Sequence, residues 1–191
     1  MGRLILSMFV SLDGRVAGPE GDLDWFAEVE DDELDRHMAE RLGRAAALLL
    51  GRATYDMFTH YWPSVDTEAP TTEAVIARLL NELPKLVVTT RPDSLDWPPA
   101  TALWGDDLPG QVARAKDELK GDLVMFGGAG TARGLIDAGL IDEYLVVVNP
   151  VVLGAGQRLF GDPEPQPRLR LLDARSFATS GAVALRYARA D

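Results

Sequence analysis

The sequence contains no cysteine and only two histidines, His37 and His60, among its 191 residues. A disulfide framework and a thiolate metal site are therefore excluded, and two imidazoles are too few for a histidine-rich metal centre. No apolar run approaches the roughly 20 residues of a membrane-spanning helix. The apolar start, MGRLILSMFV, is short, lacks a small-residue cleavage site and is followed at once by SLDG, which is typical of a strand and not of a signal peptide. We therefore expect a cytoplasmic protein with no metal site.

Basic residues are also scarce, since 19 Lys and Arg stand against 30 Asp and Glu and the net charge is −11. Such a field repels nucleic acids and anionic membranes, so neither is an expected partner. An anionic cofactor would need the few arginines concentrated at its site. We expect a single domain over residues 1–191, because no linker is long or polar enough to separate two domains.

Strand and helix patterns alternate up to about residue 140. The apolar runs that predict strands lie at 3–10, 45–50, 85–90, 100–105 and 122–128. The segments that predict helices lie at 31–43, 72–82, 108–119 and 131–139, with a further helix starting at GRATYDMF. After residue 140 only strand patterns follow: residues 141–154 predict a strand pair or a bent strand broken at Pro150, and 168–177 and 181–189 predict two further strands. The Gly- and Asp-rich segment 11–25 and the segment 161–167 predict loops. This order favours a three-layer α/β/α fold with a mixed, mostly parallel central sheet and antiparallel C-terminal strands.

Three glycines stand where a buried strand turns into a helix, in VMFGGAGTARGLIDAG. In a parallel sheet this turn lies at the carboxyl edge, where the free N–H groups of a helix start can bind a phosphate. Gly127, Gly128 and Gly130 would let the phosphate approach the backbone, and Thr131 would add a hydroxyl and a helix cap. The segment is neither a full dinucleotide fingerprint nor a P-loop. The alternative is that the glycines only permit tight helix packing.

Two further strand ends carry arginine. Arg52 begins the helix after LLLG, and Arg91 follows the strand and the two hydroxyls of VVTTRP. In a chain of net charge −11, two arginines at one sheet edge are what the binding of a phosphorylated adenosine needs. The alternative is that both are solvated charges at a helix start and in a loop.

Five motifs in order resemble the dihydrofolate reductase superfamily over essentially the whole chain: SLDGRVAG, GRATYDMF, TTRP, FGGAGT and PVVLGAGQRLF. The sequence is most similar to the branch that contains the riboflavin-biosynthesis reductase domain and its bacterial relatives. The resemblance implies a mixed sheet with flanking helices, NADPH as the hydride donor and often a homodimer.

The resemblance also implies which residues bind the cofactor. The start of the helix after the second strand matches the region near the cofactor phosphates, and the end of the third strand matches the contacts to the adenosine 2′-phosphate. The glycine turn matches the pyrophosphate and nicotinamide-ribose site. In that order, these residues are Gly51, Arg52 and Thr54; Thr89, Thr90 and Arg91; and Phe126, Gly127, Gly128, Ala129, Gly130 and Thr131. Ser11, Asp13 and Gly14 match the loop between nicotinamide and substrate.

The substrate is left open. Dihydrofolate reductases hold the pterin with a carboxylate on the first helix, a region that here offers Asp24, Glu28, Asp31, Asp32, Glu33 and Asp35. Asp24 beside Trp25 is our candidate, with a helix N-cap as the alternative. In YDMFTHYW, Tyr55 and Phe58 would stack on a flat heterocycle or pack in the core. Asp13, Asp24 or a water would supply the proton. His37 lies on the polar side of its helix and receives no role.

The residues and the resemblance together predict an NADPH-dependent reductase that transfers hydride to a C=N or C=C bond of a small pterin- or pyrimidine-like heterocycle. The cofactor carries that chemistry, so a site of backbone turns, hydroxyls and aromatic rings suffices. One alternative on the same fold is a non-catalytic nucleotide- or flavin-binding protein. An interaction protein with a vestigial site is another.

Overall fold

The structure is a computed structural model of the chain and describes residues 2–26, 31–161 and 167–190. These residues form two compact units, one of Met1–Leu4 with Asp32–Gly128 and one of Ile5–Asp31 with Ala129–Asp191. The expectation of a single domain stays a prediction. Glu28 and most of the loop predicted over 161–167 lie outside the described residues.

Strands and helices alternate along the described chain as the apolar pattern predicts. In order they are β1 (Leu4–Ser11), β2 (Arg15–Ala17), α1 (Asp32–Leu42), β3 (Ala45–Gly51), α2 (Arg52–Tyr61), α3 (Thr72–Glu82), β4 (Lys85–Val88), β5 (Ala100–Leu103), α4 (Leu108–Glu118), β6 (Asp122–Phe126), α5 (Ala129–Asp137), β7 (Glu143–Asn149), β8 (Gln157–Arg158), β9 (Leu169–Ser176) and β10 (Val183–Arg189). Short 3-10 helices occupy Asp24–Phe26 and Trp62–Ser64.

The first unit contains four parallel strands in the order β5-β4-β3-β6. The run Leu48–Leu50 of β3 is fully buried, which is typical of a parallel strand covered on both faces. Around it packs an apolar core whose buried members are Leu42, Leu48, Leu50, Tyr55, Leu80, Val87 and Trp97. Helix α3 joins this core through Leu80 and begins at a Thr71 cap, whose hydroxyl accepts the N–H of Ala74 at 3.1 Å.

The second unit combines parallel and antiparallel pairing. Strand β1 pairs in parallel with β7, β10 is antiparallel to β7, and β9 is antiparallel to β10. A short antiparallel ribbon joins β2 to β8. The predicted α/β fold with mostly parallel strands and antiparallel C-terminal strands is therefore confirmed.

Two predicted elements need correction. Strand β7 ends at Asn149, just before Pro150, and residues 151–154 form no second strand. The reason is local, because the N–H of Val151 turns back to the carbonyl of Asn149 at 2.8 Å and closes a tight turn in place of a ladder. The predicted loop over 11–25 also contains the end of β1, the short strand β2 and the start of a 3-10 helix.

Two side chains are more buried than the sequence suggested. His37 lies on the buried face of α1 and not on its polar side. Tyr55 is 1% exposed, and its hydroxyl accepts the backbone N–H of Trp97 at 2.7 Å. A ring buried this far has no free face for a heterocycle, so the prediction that Tyr55 stacks on a substrate is corrected: Tyr55 belongs to the core.

Among the residues that the structure describes, no helix combines the length and the apolar character needed to cross a membrane.

Tyr55→Phe keeps the ring but removes the hydroxyl that accepts the N–H of Trp97. An unpaired buried amide costs about 1–3 kcal/mol, so we expect the urea midpoint to fall while the slope of unfolding free energy against urea stays constant. Tyr61→Phe is the matched control on the same helix, because its hydroxyl bonds Glu73 at the exposed surface. Equal losses in the two variants would contradict the core role of Tyr55.

Candidate functional site

Two arginines predicted to bind phosphate meet in the first unit. Arg52 is the first residue of α2 and donates through Nε to the two carboxylate oxygens of Asp56 at 2.8 and 3.0 Å. Arg91 approaches the same carboxylate, with Nη2 3.5 Å from Asp56 Oδ2. The expectation that the ends of β3 and β4 bring both arginines to one edge of the sheet agrees with this geometry.

The start of α2 itself is open to an anion. Among the described residues no side chain caps this helix start, where Gly51 adopts an extended conformation. A helix start without a side-chain cap leaves backbone N–H groups that favour a negatively charged ligand. The N–H of Gly51 is not one of them, because it donates to the carbonyl of Gly127 at 3.1 Å.

The two threonines after β4 differ in availability. Thr89 is buried, and its hydroxyl accepts the backbone N–H of Arg91 at 3.0 Å, which fixes the turn. Thr90 is exposed and precedes the exposed side chain of Arg91. Of the two hydroxyls, the one of Thr90 is therefore placed to meet a ligand, and Thr89 supports the backbone.

The glycines of the turn after β6 have different roles. Gly127 has φ +55°, and a Cβ there would overlap Thr54 Oγ1, so local packing alone accounts for this glycine. At Gly128 and Gly130 a Cβ would meet no atom of the described residues within 4 Å. Space next to the backbone, which a bound phosphate requires, is therefore present at these two positions.

The other predicted residues in and around this turn pack against neighbouring rings or lie inside α5. Phe126 is half-buried and its ring contacts Phe58, which also meets the edge of Trp62. Phe58 is thus largely engaged in packing. Helix α5 begins at Ala129, which is buried, so Thr131 lies inside the helix. The prediction that Thr131 caps the helix is wrong for that reason.

In the second unit, Asp13 organises the predicted loop between nicotinamide and substrate. Its carboxylate accepts the hydroxyl of Ser11 at 2.7 Å and the backbone N–H groups of Leu153 at 3.1 Å and Gly154 at 2.9 Å. These hydrogen bonds, first that of Ser11 and then those of the two amides, lower the pKa of Asp13 to about 2. A lowered pKa does not suit a proton donor, so these hydrogen bonds favour a structural role for Asp13 over the predicted catalytic one, which stays a prediction.

Arg15 adds to these contacts between residues 11–15 and 153–156, which together form a clasp. Its Nη1 donates to the carbonyl of Gly156 at 2.7 Å and its Nη2 to that of Gly154 at 3.3 Å. Gly14 closes the turn with φ +77° and an N–H bond to the carbonyl of Ser11 at 2.9 Å. Residues 11–15 and 153–156 are therefore held together as one structured loop pair.

The acidic candidates near the first helix separate by burial. Asp31 is 3% exposed and accepts the backbone N–H of Ser180 at 2.9 Å, so it stabilises a turn. Asp24 is exposed at the start of the 3-10 helix, and Trp25 beside it is half-buried. The other described acids of this region, which are Asp32, Glu33 and Asp35, are exposed in the first turn of α1. Asp24 remains the candidate among them.

A pocket of about 250 Å³ lies within the second unit, and Ser11 and Gly14 form part of its wall. Its other walls are apolar and aromatic, and they include Tyr144, Phe160 and Tyr187. Tyr144 and Phe160 have ring centroids 6.2 Å apart. These three rings were missed by the sequence reasoning, although the period-two spacing of apolar residues in β7 and β10 is a signal for one shared face.

The sequence is similar to known proteins over almost its whole length. A model of the RibD C-terminal domain matches residues 3–183. The chain therefore belongs to the RibD C-terminal domain family. The uncharacterized protein YyaP of Bacillus subtilis (strain 168) is 30% identical over 185 residues, covering 97% of this chain and 94% of that protein.

Solved structures support the RibD C-terminal domain assignment at the level of fold. A Shewanella sp. PV-4 protein assigned to riboflavin biosynthesis gives a TM-score of 0.73 at 21% identity, with 100% of both chains covered. Dihydrofolate reductase from Enterococcus faecalis, complexed with NADP(H), gives a TM-score of 0.65 at 17% identity, with 99% of this chain and 97% of that chain covered. The predicted dihydrofolate reductase-like fold is confirmed.

Asp13→Asn tests whether this carboxylate holds the loop pair. The charge that accepts two amides is lost, so we expect faster hydrogen exchange at the N–H groups of Leu153 and Gly154. In the wild type, the depressed pKa means that the stabilisation is complete above pH 3.8 and is lost as the pH falls towards about 2. Carboxyl NMR titration should show that midpoint. Asp24→Asn is the control and should leave both amides unchanged; a wild-type midpoint near 3.8 would refute the clasp.

Proposed function

We propose that this protein is an NADPH-dependent reductase that transfers hydride to a C=N or C=C bond of a small pterin- or pyrimidine-like heterocycle. One observation carries the proposal: Arg52 and Arg91 meet at Asp56, beside the uncapped start of α2, in a chain of net charge −11. Two of its few cations thus stand together at a helix start, which is an arrangement suited to a phosphorylated adenosine.

The residues present fit such a cofactor. The exposed guanidinium of Arg91 and the hydroxyl of Thr90 would hold the 2′-phosphate, and the start of α2 would face the other phosphates. The space at Gly128 and Gly130 would admit the cofactor against the backbone. NADPH, when bound, supplies the hydride, and the likeness in fold to a dihydrofolate reductase complexed with NADP(H) supports this choice.

The pocket of the second unit is the proposed substrate site. The exposed ring of Phe160 and the half-buried ring of Tyr187 suit a flat heterocycle, and the loop of Ser11 and Gly14 would exclude water from one side. Because the carboxylate of Asp13 is taken up by Ser11 and by the amides of Leu153 and Gly154, the proton would come from Asp24 or from a water. A homodimer, a cytoplasmic location and the absence of nucleic-acid and membrane partners complete the proposal.

One observation favours a second candidate, a non-catalytic nucleotide- or flavin-binding protein. The carboxylate of Asp13 is held by the hydroxyl of Ser11 and by the N–H groups of Leu153 and Gly154, which is a structural role in the loop. This candidate predicts cofactor binding without oxidation of NADPH in the presence of pterins or pyrimidines. A yellow protein after purification would identify flavin.

Fluorescence titration with NADPH and NADH tests the cofactor assignment. We expect the wild type to prefer NADPH, and Arg91→Ala to lose about tenfold or more in NADPH affinity with little change for NADH, because one charge-assisted phosphate contact is removed. Arg170→Ala removes an exposed arginine of β9 and is the control. A wild type that binds neither NADPH nor NADH would contradict the reductase proposal.

Gly128→Ala tests the space beside the backbone. We expect an unchanged melting temperature, since the methyl group meets no described atom within 4 Å, and roughly tenfold weaker NADPH binding, since the methyl group occupies the place of the phosphate. Gly127→Ala should behave in the opposite way and lower the melting temperature, because its positive φ and Thr54 leave no room. Gly134→Ala, where the added methyl group also meets no described atom within 4 Å, should leave the NADPH affinity unchanged. Full NADPH affinity in Gly128→Ala would contradict the assigned phosphate position.

A further inference from the structure

The two arginines of the candidate cofactor site are not equivalent. Arg52 has a side chain that is 20% exposed, and two of its nitrogens already donate within the protein. Nε bonds the carboxylate of Asp56, and Nη1 donates to Ser94 Oγ at 2.8 Å and to the carbonyl of Arg91 at 3.3 Å. The planar fork of Arg52 therefore ties α2 to the turn that carries Arg91.

Arg91 is the opposite case. Its side chain is 66% exposed, and its one ion pair among the described residues is the 3.5 Å approach to Asp56. Exposed pairs of this length contribute little, so the guanidinium can turn towards a ligand at small cost. The backbone of Arg91, in contrast, is fixed by Thr89 Oγ1 at its N–H and by Ser94 Oγ, 3.2 Å away, and Arg52 at its carbonyl.

Asp56 stands between the two cations, four residues after Arg52 on the same helix. It anchors the fork of Arg52 with two short contacts and gives Arg91 a resting position with a longer one. Without its two arginine partners, the carboxylate of Asp56 would repel a phosphate. Its contacts to both guanidinium groups are those of a residue that orients cations.

We propose that Arg52 and Asp56 are positioning residues that set the preference for NADPH over NADH by fixing the turn of Arg91, and that Arg91 alone supplies the cation for the 2′-phosphate. This inference rests on the proposed function. The role of Arg52 then depends on the shape of its guanidinium group, because the single nitrogen of a lysine cannot replace both Nε at Asp56 and Nη1 at Ser94 and the carbonyl of Arg91. The role of Arg91 depends on its positive charge, because a lysine at that position can still approach a phosphate.

Lysine and alanine variants at both positions separate shape from charge. Affinities for NADPH and NADH are measured by fluorescence titration. We expect Arg52→Lys to lose as much NADPH preference as Arg52→Ala, about tenfold, while Arg91→Lys keeps most of the preference that Arg91→Ala loses. Arg114→Lys is the matched control, since Arg114 pairs with Asp107 on α4 in the same unit and should change nothing. The reverse pattern, in which Arg52→Lys keeps the preference for NADPH and Arg91→Lys loses it, would overturn the inference.

Asp56→Asn separates positioning from repulsion. Positioning predicts a lower NADPH preference, because the anchor of Arg52 is weakened. Repulsion predicts tighter NADPH binding, and that result would refute the role proposed for Asp56. An unchanged preference would equally refute it.

A cofactor-free measurement keeps this inference distinct from the proposed function. Hydrogen exchange of the backbone amides of Arg91, Asp93 and Ser94 should be faster in Arg52→Lys and Asp56→Asn than in wild type and Arg91→Lys. A wild type that binds no NADPH would defeat the proposed function. Unchanged exchange in Arg52→Lys, with NADPH bound normally, would defeat only the positioning role.

Discussion

Parallel pairing of β3 with β4 and with β6 is the constraint on which the candidate cofactor site depends. The register places Gly51 opposite Val88, and Leu50 opposite Phe126, so the three strands end at nearly the same height. Whatever follows each strand is therefore presented at one edge of the first unit. The run Leu48–Leu50 keeps β3 in the interior of this unit, because its leucines are buried on both faces of the sheet. Arg52 and Asp56 are neighbours at i,i+4 on α2, and Arg91 reaches them because β4 ends at the same edge.

Asp13 and Asp56, at the two candidate sites, are both held by groups of the protein itself. Asp13 binds two backbone amides and a hydroxyl, and Asp56 binds one guanidinium closely and a second at 3.5 Å. The partners of Asp13 stabilise its negative form and lower its pKa. Carboxylates that organise loops and cations in this way suit the proposed hydride transfer, for which the protein supplies mainly orientation and exclusion of water.

Much of the fold followed from the sequence because apolar periodicity reports burial directly. The run LLL of β3, the spacing of Ala74, Ala77 and Leu80 in α3, and the glycines at the ends of β3 and β6 indicated the type and order of most elements, but the short strands β2 and β8 were not predicted. The site was predicted less completely. Tyr55 was misassigned because composition cannot tell a ring that stacks on a ligand from one that accepts a buried N–H. The role of Asp13 depended on Leu153 and Gly154, about 140 residues away in the chain, and no local pattern encodes such a contact.

The glycines of FGGAGT show why a motif needs its geometry before its meaning is known. Gly127 is explained by the protein itself, since its φ of +55° and the hydroxyl of Thr54 exclude a side chain. Gly128 has no such internal reason, because a methyl group would fit there without contact to any described atom. Open space alone does not identify an occupant, since Gly134 inside α5 has it too. What supports the proposed cofactor at Gly128 is the uncapped start of α2, with Arg52 and Arg91 beside it.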